Sequence, residues 1–235
     1  MKFKCFLFSF FIIIASCSSE TKTDFEKVKE LLKDDIFKDA QKFLNLKPIT
    51  VTSHVSDRSA GTKHDFYSEG DYWWPNPDNL DGPYIRKDGL SNPDNFLAHR
   101  HSMIRLSKIS GALASAYLIT KEDVYLKNLM PHLRAWFVNE DTKMNPNLLY
   151  GQAIKGKVTG RGIGIIDTIH LIEVALALEV VEQSNLFLKT EVEAIKDWFS
   201  QYLRWITVHP YGISERDNGN NHSTCWAIQV TAFAR

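Results

Sequence analysis

The chain has 235 residues, with 28 Lys plus Arg balanced by 28 Asp plus Glu and a formal net charge of zero. That balance excludes the basic footprint of a nucleic-acid binder and gives no global attraction to an anionic membrane surface. Of three cysteines, Cys5 and Cys17 fall in an N-terminal leader, so Cys225 stands alone and neither an internal disulfide nor a thiolate zinc framework can form.

Met1-Lys2-Phe3-Lys4 is a basic start, Phe6 to Ala15 is apolar, and Ile14-Ala15-Ser16-Cys17 ends the run with small residues before a cysteine. This is the pattern of a secretory signal peptide, and the apolar run falls short of the roughly 20 residues that span a bilayer. The tetrad ending at Cys17 resembles a bacterial lipobox, which implies cleavage before Cys17 and lipid attachment to its sulfur. The expected location is the periplasm or cell surface, with the membrane met only through that anchor. Residues 1–17 are expected to be leader, 18–23 a tether, and 24–235 one core-bearing domain of roughly 210 residues.

Asp24 to Leu46 carries an apolar stripe near a 3.6-residue period, including Phe25, Val28, Leu32, Ile36, Ala40 and Phe43, and predicts an amphipathic helix ended by Pro48. From 49 to 95 prolines and glycines alternate and no helical period survives, yet Phe66, Tyr72, Trp73, Trp74 and Tyr84 crowd there. Long irregular segments are more often functional than idle. Flat aromatics on one either stack on sugar faces and close over a ligand or pin the loop to the body.

Ser91-Asn92-Pro93-Asp94 predicts the start of a second helix running to Tyr117. His99 and His101, two apart on it, point in different directions and are expected to be surface or groove histidines. Thr120 to Asp123 resembles a capping box opening a third helix to about Val138, kinked or restarted at Pro131. Lys155, Lys157 and Arg161 then lie in a glycine-rich loop without an acid, which suits an anion-binding groove. Gly160-Arg161-Gly162-Ile163-Gly164 is a weak phosphate-loop candidate because no strand is predicted before it. Ile165 to Glu182 is apolar on several faces, the mark of a buried helix. A capping box at Thr190–Glu193 opens a fifth helix that Pro210 closes.

Tyr211 to Gly219 is predicted to be a charged loop, followed by Asn220-Asn221-His222-Ser223-Thr224-Cys225-Trp226 and an apolar run. Asn before such a run is an N-cap signature. The positive end of the helix dipole and its unpaired N–H groups favour an anion there. No segment alternates with period 2, so the expectation is an all-α chain of five or six helices with one long loop and little or no sheet. Short connections imply antiparallel neighbours, and the loops collect aromatic, basic and amide residues suited to a cleft at one end of the scaffold. The last residues, Trp226 to Arg235, stop in mid-helix, so the sequence reads as cut short.

Several stretches together resemble the bacterial alginate lyase superfamily. They are Asp71-Tyr72-Trp73-Trp74-Pro75-Asn76-Pro77 with Gly82 to Gly89, Leu133 to Phe137, Met144 to Leu148, Gly160-Arg161-Gly162 with Ile165-Ile166-Asp167, and Asn220-Asn221-His222. The resemblance runs from about Asp71 to the end and implies an incomplete α/α toroid of helical hairpins. It also implies β-elimination on an anionic polysaccharide, alginate or another polyuronate, with no metal and no other cofactor. The family's Asn-His pair falls on Asn221 and His222, which would neutralise the sugar carboxylate and assist proton removal from C5. The family's tyrosine and arginine are expected beyond residue 235.

Trp73, Trp74, Arg86, Lys87, Tyr150, Gln152, Lys155, Lys157, Arg161 and Asn220 are the expected substrate-binding residues. A polyuronate-binding lipoprotein without activity and a glycoside hydrolase are the alternatives. The hydrolase would need two carboxylic acids, for which Asp71 and Glu215 are the loop candidates. Both are expected instead to be solvated or paired with Arg86 and Arg216.

Overall fold

In the computed structural model, residues 23–235 are described; the leader, Cys17 and residues 18–22 of the tether lie outside them. Thr23 caps the first helix, α1 (Asp24–Phe43), its hydroxyl accepting from the Glu26 N–H at 3.3 Å. The helix stops before Pro48, where Asn45 turns left-handed (φ 61°) and donates its N–H to Asn128 Oδ1. Only the C-terminal half of its apolar stripe packs: Ala40 is fully buried and Ile36 and Phe43 reach the core. Phe25, Val28, Leu31 and Leu32 stay 47–80% exposed.

α2 (Ala98–Thr120) is the central helix, against which α1, α3 and α4 pack. It begins later than the Ser91–Asp94 signal predicts, because that segment is used otherwise. Asn92 Nδ2 donates to Trp73 O and Asn95 Nδ2 to Gly70 O, which holds the aromatic loop down. His99 is not a surface histidine. It is buried, with Nδ1 accepting from the Tyr67 N–H and Nε2 2.9 Å from His54 O. Burial and these backbone partners make it a bracket between α2 and the loop.

A left-handed Lys121 (φ 62°) reverses the chain into α3 (Asp123–Phe137), with Glu122 at the N-cap position in place of the predicted Thr120. The Thr120 hydroxyl accepts from the Glu122 N–H instead. α3 passes through Pro131 without restarting. Its His132 is buried and neither ring nitrogen makes a well-formed hydrogen bond. Burial, with Arg105 nearby, pushes its pKa down to about 4.

The predicted helix at Ile165 is two pieces, a 3₁₀ stretch (Gly162–His170) leading into α4 (Leu171–Ser184). The reason is a close backbone crossing, since a Cβ on Gly164 would lie 2.9 Å from Gly151. Asn185 (φ 55°) turns the chain into α5 (Lys189–Val208), which starts at Lys189 without the predicted Thr190 box. Pro210 does not merely close α5. It is the first residue of α6 (Pro210–Arg216), occupying the expected loop, with His209 Nδ1 accepting from the Tyr211 N–H. α7 (Asn221–Phe233) follows.

The result is an all-α architecture of antiparallel hairpins, as in an α/α toroid, with a core of side chains such as Leu106, Ile109, Leu126, Leu133, Trp136 and Tyr202. Tryptophan N–H groups tie two helices to loops, Trp136 to Ile49 O and Trp198 to Met144 O, and tie α7 to the last turn of α5, Trp226 to Ile206 O. Among the described residues there are four short strands. β1 (Tyr67–Glu69) pairs in parallel with β4 (Tyr150–Ala153), and β2 (Trp73–Trp74) pairs antiparallel with β3 (Ile85–Arg86). Among the described residues no helix is long and apolar enough to cross a membrane.

Candidate active site

The small strands, the 3₁₀ stretch and the start of α7 enclose a cavity of about 490 Å³. Asn221 and His222 line it from α7, Arg161, Ile163 and Ile166 from around the 3₁₀ stretch, and Gln152 from β4. Asp71, Tyr72, Trp73 and Arg86 complete it from the aromatic loop.

The helix start that carries Asn221 and His222 is well capped. Asn220 Oδ1 accepts from the His222 N–H at 2.8 Å, and Ser223 Oγ accepts from the Gly219 N–H at 2.7 Å. Asn220 is therefore a cap and does not line the cavity. Because the cap occupies the His222 N–H, the donors offered to an anion are chiefly side chains, aided by the helix dipole. From behind, α7 is fixed by a buried cluster. Gln229 Nε2 donates to Ile165 O at 3.0 Å, and Thr168 Oγ1 lies 2.7 Å from both Gln229 Oε1 and the Tyr202 hydroxyl. Burial raises the Tyr202 pKa, so its hydroxyl stays neutral.

His222 Nδ1 lies 2.9 Å from Oε2 of Glu215, whose side chain is 4% exposed. The approach is close enough for an ion pair but is not a straight hydrogen bond. Burial raises the Glu215 pKa, and His222, Arg161 and Asn218 oppose that shift.

Arg161 makes no salt bridge among the described residues: Nε donates to Gln152 O at 2.9 Å and Nη2 reaches Gln152 Oε1 at 3.4 Å. Burial and the neighbouring Arg86 lower its pKa from a very high starting value, so it remains a cation with charge to offer. Gln152 itself is held left-handed, at φ 54°.

Beneath these groups lies a buried polar layer. Asp167 accepts from the Ser68 hydroxyl and Gln152 Nε2, and lies 3.1 Å from Arg100 Nη2. Arg100 Nη1 also donates to Asp71 Oδ1 at 2.9 Å. Burial raises the Asp167 pKa and Arg100 counters it. The expected pairings of the two loop carboxylates are thus overturned. Asp71 pairs with Arg100 while Arg86 pairs with Asp88, and Glu215 pairs with His222 while Arg216 pairs with Asp217. In each case a neighbour from the opposing wall, or one adjacent in sequence, is nearer than the expected partner. Neither Asp71 nor Glu215 stands as a free acid across the cavity.

The remaining predicted residues are distributed around the rim. Trp73 lines the cavity with Lys157 Nζ 5.3 Å from its ring centroid. Trp74 does not line it; its Nε1 donates to Leu90 O, and Lys87 Nζ sits 4.9 Å from its ring centroid. Lys155 and Lys157 line an adjoining cavity of about 700 Å³ with Arg58, Tyr67 and Tyr211. Tyr150 lines neither, its ring lying against Gly61, where any Cβ would collide with it. Asp71, Tyr72, Ile163 and Ile166 line the first cavity although they were not among the expected binding residues; the available signal was that Asp71, Tyr72 and Ile166 lie inside the family-resembling stretches and Ile163 beside Gly160–Gly162. A smaller hollow of about 230 Å³ between α4, α5 and α7 contains none of these groups.

A family model described as alginate lyase matches residues 50–235. A crystal structure of an alginate lyase from Bacteroides ovatus is similar at 36% sequence identity and a TM-score of 0.79, covering 89% of this chain and 58% of that one. The chain therefore spans somewhat over half the length of that relative. A comparison with curated proteins finds no match.

Proposed function

The chain belongs to the alginate lyase family, and from that premise we propose that it is a polysaccharide lyase cleaving alginate or a related polyuronate by β-elimination. The observation that carries this reading is the convergence of Asn221, His222 and Arg161, which makes no salt bridge among the described residues, on one cavity. A C5 proton beside an ionised carboxylate is very weakly acidic, because its removal builds a second negative charge on the uronate. Donors aimed at that carboxylate stabilise the enolate-like transition state, each well-placed one by roughly 3–4 kcal/mol.

Asn221 and His222 supply such donors at the positive end of α7, and Arg161 supplies the counter-charge. C5–H cleavage is coupled to departure of the C4 oxygen, which leaves a C4=C5 double bond on one product and a new hydroxyl on the other. Trp73, Arg86 and Lys157 at the rim suit the faces and carboxylates of flanking sugars. The tyrosine that completes proton transfer in the resembled family is assigned to no residue here.

The test is incubation with alginate, its mannuronate and guluronate blocks, and polyglucuronate, following ultraviolet absorbance of the unsaturated uronate alongside new reducing ends. A lyase produces both together. Reducing ends without absorbance would indicate hydrolysis, and binding without either would indicate a capture protein; each outcome rejects the proposal. The leader adds a location, a lipid-anchored protein of the periplasm or cell surface. Labelled palmitate should enter the wild-type protein and be lost in Cys17→Ala, and an unlabelled, freely soluble wild type would contradict it.

A further inference from the structure

We propose that Glu215 is a positioning residue that keeps the proton of neutral His222 on Nδ1, leaving Nε2 toward the cavity. This inference rests on the reading of His222 as part of the lyase site and specifies which ring atom does the work. With Nδ1 protonated, the neutral ring presents an open Nε2 lone pair that can take a proton. Once charged, the same atom becomes a donor to a carboxylate. The opposite tautomer would present only a donor and could accept nothing.

The geometry favours the first arrangement. Glu215 lies near the end of α6 and His222 in the first turn of α7, joined through a left-handed Gly219 (φ 72°). Nδ1 is buried and the Glu215 oxygen at 2.9 Å is the polar atom it faces, whereas the ring as a whole lines the cavity. An unprotonated Nδ1 would set its lone pair against a carboxylate lone pair at that distance, unless Glu215 itself carried the proton. Burial raises the Glu215 pKa, but His222 from α7, Arg161 just before the 3₁₀ stretch and Asn218 from the α6–α7 connection face the carboxylate, and all three oppose that shift. Held ionised by these partners, the carboxylate only accepts, which places the proton on the ring. Orienting partners of this kind are a general means of setting an imidazole's tautomer.

The test is nitrogen NMR of ¹⁵N-histidine-labelled protein above the titration range of the ring, with His222 assigned by its loss in His222→Gln. Wild-type protein should show the Nδ1–H tautomer. Glu215→Gln, which keeps the volume but removes the charge and offers an amide donor, should move His222 toward Nε2–H. The same variant should lower kcat at least about 10-fold with KM changed less than about threefold, and should alter the pH–rate profile. An Nε2–H tautomer in the wild type would mean a protonated Glu215 donating to the ring and would overturn the proposal. So would a Glu215→Gln protein with tautomer and kcat unchanged. If the variant does not fold, the wild-type tautomer still decides. If the wild type cleaves no polyuronate, the lyase reading fails while the tautomer still judges Glu215.

Discussion

The floor and the wall of the cavity are held by different physics. The floor rests on buried charge: Asp167 is engaged by Arg100, Ser68 and Gln152, and α7 is pinned by Gln229, Thr168 and Tyr202. The wall is a two-residue ladder of Trp73 and Trp74 with Ile85 and Arg86, steadied by Lys157 and Lys87 lying against the indoles. Buried ion pairs and hydrogen bonds of this kind restrict the arrangement, because breaking one leaves a charge or donor unpaired in low dielectric. Half-exposed aromatics with cations beside them lose little when a sugar ring replaces the cation or the water. On the proposed lyase reading, the floor suits transition-state contacts, which need donors already in place, and the wall suits accommodation of a polymer.

The contrast is broken most severely at Asp167. Asp167→Ala leaves Arg100 with half of its charge compensation and should cost about 3–5 kcal/mol of stability by denaturant unfolding; a loss below about 1 kcal/mol would show that the floor is not charge-locked. Next in size, Asn221→Ala should lower kcat by about 10²–10³-fold while barely changing KM or the unfolding midpoint. A change confined to KM would place Asn221 among simple binding groups. Trp73→Ala should raise KM roughly fivefold, about 1 kcal/mol of ring contact, and leave the unfolding midpoint almost untouched. Equal losses of stability and activity would make the wall a structural pin instead. The smallest separation is between neighbours: Asn220→Ala should cost about 1 kcal/mol of stability as a lost cap, with kcat retained far better than in Asn221→Ala.

What could be seen in the sequence was local. The start of α7 was legible because an N-cap depends on a few adjacent residues, and Asn220 does cap it. Helical periodicity gave α1 for the same reason, and the capping signatures put the starts of α3 and α5 within two residues of the observed N-caps. The irregular, aromatic segment was recognisable as a loop, but its two ladders were not, since Trp73 finds Arg86 and Tyr67 finds Tyr150 only once the helices have packed. Long-range ion pairs were equally hidden. Asp71 meets Arg100 across the fold, and a sequence-adjacent cation is a poor guide to who shares a buried site. His99 shows the limit from the other side: polarity suggested surface, whereas two backbone partners allow it to be buried. Pro210 was ambiguous because proline ends one helix and starts the next with equal ease. The basic loop was visible as a cluster of charge, but the division of Lys155 and Arg161 between adjoining cavities was not.

Gln152 sits at the centre of the floor in a backbone conformation that a side-chain-bearing residue adopts at a cost, of order 1–2 kcal/mol. A selection for heat tolerance alone would therefore find glycine attractive there, since it adopts φ 54° freely. The same exchange would delete the amide that reaches both Asp167 and Arg161. Directed evolution toward a sturdier protein should accordingly be run with a catalytic screen at this position, because the change that relaxes the chain also removes the link between its buried acid and its open cation.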